Sequence, residues 1–94
     1  MKAMKLSVAD ISIVTVENTV EALQQVVGGS IETIGLSDGG VMIVDEEAVL
    51  KWKPRNDLAS YICGRHVYGD ALIVGTDGDE FDDVPEQYFV WLGK

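Results

Sequence analysis

The sequence predicts an α+β domain: a largely antiparallel sheet of about five strands with two or three short helices, in the order β-β-α-β-β-α-β-α. Three observations predict it. The runs Ile31 to Leu36 and Val41 to Val44 flank Ser37-Asp38-Gly39-Gly40, where Asp-Gly suits the positive φ angles of a tight hairpin turn. Val41, Met42, Ile43 and Val44 are apolar at both parities, which puts that strand centrally in its sheet with both faces covered. Val20, Leu23, Val26 and Val27 instead recur at helical spacing before Gly28. The helices are expected on one side of the sheet.

The first element is a hairpin. Met4, Leu6 and Val8 alternate with Lys5 and Ser7, and after Ala9-Asp10 the run Ile11 to Val16 is again β-branched. Asn18 with Glu21 has the spacing of a capping box for the helix that ends at Gly28. After the central hairpin, Pro54 stops the strand in Lys51-Trp52-Lys53-Pro54-Arg55. Asn56 or Asp57 then caps a short helix through about Cys63, with Gly64 at its end. Asp70 to Gly75 reads as a buried strand, and Asp77-Gly78-Asp79-Glu80-Phe81-Asp82-Asp83 as an acidic loop. Asp83 with Glu86 repeats the capping spacing and Pro85 suits a first helical turn, so Tyr88, Trp91 and Leu92 fall on one face of a C-terminal helix; Tyr88 to Leu92 also fits a short edge strand.

Ninety-four residues that are 47% hydrophobic make one domain, residues 1–94, with little room for a second core. Sixteen acidic against seven basic side chains give a net charge of −9, which repels nucleic-acid phosphates and disfavours direct nucleic-acid binding. One cysteine cannot staple the fold, no signal peptide is apparent and no apolar run is long enough for a membrane span, so a cytoplasmic setting is expected. The apolar tail Tyr88, Phe89, Trp91 and Leu92 favours self-association into a homo-oligomer.

The best candidate for a ligand is the set Trp52, Lys53, Arg55, Arg65 and His66, with Lys51 and Tyr68 nearby. An aromatic face with cations beside it suits a small anionic nucleotide, because the base stacks while Lys and Arg meet the phosphate. The plainer alternative has Trp52 packing over the core edge while the cations balance local acids. For the set to line one surface, the bend at Pro54 must bring Arg55 and Arg65 together from opposite ends of the short helix. Cys63 and His66 have metal-like spacing, but the chain offers no second Cys or His, and no cofactor is expected. Asp77, Asp79 and Asp83 with Glu80 and Glu86 lack the pattern of a calcium loop.

The blocks Val26 to Glu32, Val41 to Glu47, Asn56 to Ala59 and Gly69 to Gly75, in that order, resemble a small domain-of-unknown-function family common in phages and conjugative elements of Gram-positive bacteria. The resemblance spans roughly Val20 to Glu86, and the tail Tyr88 to Lys94 departs from it. It implies a mobile-element context in a host cytoplasm and no particular activity. The functional expectation is a non-enzymatic accessory protein that binds a host protein or a small signalling nucleotide to modulate host defence. An acidic DNA mimic that blocks a nucleic-acid-binding host protein is the alternative. A small hydrolase built on Cys63 is held in reserve.

Overall fold

The computed structural model describes residues 1–93. Strands β1 (Lys2–Leu6) and β2 (Ile11–Thr15) form the first hairpin, followed by helix α1 (Val20–Val27). The hairpin β3 (Ile31–Gly35) and β4 (Val41–Asp45) leads to helix α2 (Asp57–Cys63), strands β5 (Ala71–Asp77) and β6 (Glu80–Asp82), and a 3₁₀ helix, Glu86–Gly93. All pairings are antiparallel, in the order β2-β1-β5-β4-β3, with β6 on the far end of β5. The fold is α+β, as the sequence predicts.

Several particulars differ. Val41 to Val44 is interior with both faces covered, as expected, hydrogen-bonded to β3 and β5; the middle position itself belongs to β5. A sixth strand lies within the acidic stretch, because Gly78, at φ 62°, turns Glu80–Asp82 back onto Gly75, Thr76 and Asp77. The strand before Pro54 ends at Asp45, nine residues earlier than the proline. Helix α1 is capped by Thr19, whose hydroxyl accepts from the Ala22 N–H, while the Asn18 amide donates to the Phe81 carbonyl.

The helices cover both faces of the sheet, not one. Leu23 and Val27 of α1 pack with Ala3, Ile43, Leu72 and Val74, whereas Ala59 of α2 and Tyr88 of the 3₁₀ helix pack with Met4, Leu6, Met42, Val44, Ala71 and Ile73. Because side chains alternate along a strand, a run apolar at both parities needs a cover on each side.

Asn56 ties three elements together. It is buried, caps α2 by accepting from the Ala59 N–H, and donates its amide to the carbonyls of Leu6 and Gly69 at 2.8 and 2.9 Å. Its N–H reaches the Val67 carbonyl and the Gly69 N–H the Pro54 carbonyl, so the segment beyond Pro54 lies antiparallel to residues 67–69.

The C-terminal segment is 3₁₀ rather than α-helix or edge strand. The Asp83 carboxylate expected as its cap accepts instead from the Lys2 N–H at 2.7 Å, and Val84 N–H donates to the Lys2 carbonyl. Strand β1 thus captures the start of the segment. Tyr88 comes to rest over Gly40, where an added Cβ would sit 2.8 Å from the ring, so only glycine lets the ring approach. Among the described residues the buried Tyr88 hydroxyl makes no well-formed hydrogen bond, only a poorly aligned approach from the Gly40 backbone; burial, then the Asp38 charge, raises its pKa against that approach. Tyr88→Phe removes that unsatisfied group and is expected to leave stability unchanged or raise it by about 1 kcal/mol. A urea midpoint that falls clearly would show a hidden partner for the hydroxyl.

Candidate interaction site

Strand β4 delivers an acid into the interior. Asp45 follows four apolar residues and its side chain is fully buried. The chain then winds through a tight turn and returns two lysines to it, Lys51 Nζ at 2.9 Å and Lys53 Nζ at 2.7 Å, while the Glu47 N–H donates to the other carboxylate oxygen at 2.9 Å. Burial pushes the Asp45 pKa up, but Lys53, the Glu47 N–H and Lys51 outweigh it and hold the carboxyl at about 2.

The same lysines close the end of α1. Lys51 donates to the Gly28 carbonyl at 3.0 Å and Lys53 to the Val27 carbonyl at 2.8 Å, using acceptors that a helix C-terminus leaves free. Gly29 lies so close to Lys51 Nζ and the Asp45 carboxylate that a Cβ there would displace them. Asp45, Lys51 and Lys53 therefore pin the β4–α2 loop to α1.

What this loop displays is apolar. Val49 and Leu50 are exposed at its apex, and Trp52 is 93% exposed. The turn closes with Trp52 N–H on the Val49 carbonyl and Lys53 N–H on the Ala48 carbonyl, the bond pattern of a Schellman motif. Trp52 occupies the left-handed position, at φ 58°, that such a motif usually gives to glycine. A side chain there costs about 1–2 kcal/mol relative to ordinary backbone.

The sequence-derived candidates fall in neighbouring hollows. Arg55, Arg65 and His66 line one open hollow of about 430 Å³ with Asp57, Ser60, Tyr61 and Gly64. Trp52 and Lys53 line another, of about 540 Å³, with Val49, Leu50 and Tyr68. A smaller hollow between them shares Arg65 and His66 with the first and Val49 and Tyr68 with the second. The cations are occupied by acids: Arg55 Nε meets Asp57 at 3.1 Å, Arg65 meets Glu32 at 3.4 Å, and Lys51 and Lys53 meet Asp45. The exposed Arg55 and Arg65 pairs are weak.

Cys63 is half-buried at the end of α2, its Sγ 3.7 Å from the Arg65 carbonyl, and His66 is exposed. Among the described residues no three His, Cys, Asp or Glu side chains gather where a metal ion could be held. No described helix is long and apolar enough to cross a membrane.

Sequence reasoning missed Asp45 and the apex. The signal for Asp45 was its place at the end of a strand apolar at both parities, where a carboxylate needs cations. Val49-Leu50, lying between acids and lysines, had no periodicity to interpret.

No curated protein matches the sequence. The crystal structure of the small RNA methyltransferase HEN1 is similar in fold, with a TM-score of 0.69 at 19% identity over 99% of this chain. The chain spans 16% of that structure's length. A family model matches residues 1–92, and the chain belongs to that family, described as "Domain of unknown function (DUF3846)".

Proposed function

We propose that this chain is a non-enzymatic, self-associating accessory protein of a mobile element that docks a host protein through Val49, Leu50 and Trp52, in the host cytoplasm, to modulate host defence. The observation that carries it is Trp52 itself. A tryptophan almost wholly in water, at a backbone position that favours glycine, does nothing for the fold that glycine would not do better. Its loop is held by a buried ion cluster, so little ordering entropy is lost when the apex is covered. Glu46 and Glu47 are exposed beside it, and the chain carries a net charge of −9. The complementary partner has an apolar pocket rimmed by lysine and arginine. The mobile-element setting rests on the sequence resemblance.

A second reading is supported by Arg55, Arg65 and His66 sharing one hollow with Tyr61. A small anionic nucleotide there would have to displace Asp57 and Glu32 from the arginines.

Immobilised wild type and Trp52→Gly, exposed to a Gram-positive host lysate and analysed by mass spectrometry of proteins and small molecules, separate these readings. A basic protein held by the wild type, released by salt and lost from Trp52→Gly is the expected result. Trp52→Gly should melt no lower than the wild type, since relief of about 1–2 kcal/mol of left-handed strain offsets roughly 0.5–1 kcal/mol of added glycine entropy. Equal protein capture by both forms would remove Trp52 from the docking surface. A nucleotide eluted from both would favour the hollow at Arg55 and Arg65.

A further inference from the structure

Among the described residues strand β2 is an open edge of the sheet, paired with β1 alone. Met1 and Val16 exchange both backbone hydrogen bonds, and Ser7 N–H meets the Asp10 carbonyl. Hydrogen-bonded pairs alternate along an antiparallel ladder, so Val14 and Ser12 also bond inward to β1. The N–H and C=O groups of Ile11, Ile13 and Thr15 therefore point outward, without a partner among the described residues.

The five residues of the strand itself carry nothing that discourages pairing. Natural edge strands are blunted by charges, prolines or bulges. Ile11-Ser12-Ile13-Val14-Thr15 has no charge or proline, and its register with β1 is unbroken. The other edge, β3, carries Glu32. Ile13 is 37% exposed, and the 3₁₀ helix that borders β2 leaves Phe89, Val90 and Leu92 in water.

We propose that two copies of this chain pair antiparallel through β2, with the two-fold axis at Ile13, making one continuous sheet. The register is self-complementary: Ile13 faces its own copy, Ile11 faces Thr15, and Ser12 faces Val14. Each of the outward groups on Ile11, Ile13 and Thr15 then meets its opposite number on the partner, as in strand addition. The pairing closes on itself, whereas β2 on β3 would run on as an open filament. It assigns a surface to the self-association proposed above. It is independent of the docking loop, which follows β4 and lies away from β2 in the strand order.

Light scattering and cysteine cross-linking test it. The wild type should have twice the mass of the chain from micromolar to millimolar concentration. Ile13→Lys, which puts two ammonium groups together at the axis, should give the single-chain mass with an unchanged circular dichroism spectrum. In a Cys63→Ala background, Ile13→Cys should form a covalent dimer when diamide oxidises the two thiols, since facing Cα atoms in a hydrogen-bonded pair lie about 5.5 Å apart. Thr15→Cys, four residues out of register with its own copy, should not cross-link. If Ile13→Lys fails to fold, the cysteine pair decides. A single-chain mass for the wild type throughout, a dimer that persists in folded Ile13→Lys, or equal cross-linking at both cysteines would overturn the proposal. Loss of the partner in Trp52→Gly with the dimer intact, or the reverse, shows which of the two surfaces has failed.

Discussion

Replacing Ile43 with Ala is expected to lower stability by roughly 2–5 kcal/mol, the range for removing a large aliphatic side chain from a core that cannot collapse around the gap. Ile43 is fully buried on an interior strand, opposite Thr33 on one side and Leu72 on the other. Above it lie Leu23 and Val27 of α1. Two features hold that helix off the gap: its C-terminal carbonyls are fixed by Lys51 and Lys53, and the strands beneath it are paired on both sides. A chemical-denaturation curve with an unchanged midpoint would show that the helix follows the missing atoms inward.

Asp45→Ala should cost about 3 kcal/mol, the lower part of the range for breaking a buried ion pair, because both lysines retain some contact with water. The pH dependence carries a sharper signature. The folded pKa of about 2 lies below the ordinary 3.8, so the carboxylate contributes stability that is complete above pH 4 and lost as pH falls through 2. That contribution is on the order of 2 kcal/mol at neutral pH. Asp45→Asn cannot titrate, and its stability should fall less steeply than the wild type's between about pH 4 and pH 2. Parallel acid limbs for the two proteins would mean that the cluster is not intact in solution.

The hairpins were legible because local chemistry decides them. Asp38-Gly39 joins two apolar runs, and Gly39 takes φ 86° in the turn. The short helix after Pro54 was legible for the same reason, with Asn56 and Gly64 at its ends as their residue types require. The helices cover both faces rather than the expected one, and the sequence carries the signal for it. Val41 to Val44 and Ala71 to Val74 are apolar at both parities, and such strands cannot leave one side bare. The 3₁₀ segment was not legible, since Asp83 is engaged by Lys2 from the other end of the chain. A strand running to Pro54 would alternate Lys51, Trp52 and Lys53 between its two faces. Once the chain turns after Asp45, Lys51 and Lys53 point inward to the carboxylate and Trp52 outward. Left-handed backbone at a tryptophan has no signature in composition, because that closing position is ordinarily filled by glycine.

The place of β5 in the sheet has a kinetic consequence. Two hairpins, β1–β2 and β3–β4, close locally, on the microsecond scale on which such turns form. The strand that must slot between them is the fifth in chain order, and its pairing of Ile73 with Met4 joins residues far apart in sequence. Until Ala71 to Val74 are made, β1 and β4 present facing, unpaired backbones lined with the most deeply buried side chains of the finished domain. Closure of the sheet through β5 is therefore expected to be slower than formation of the hairpins. A chain lacking Ala71 to Val74 leaves the inner margins of both hairpins without their strand partner, and edge-to-edge aggregation is expected of it.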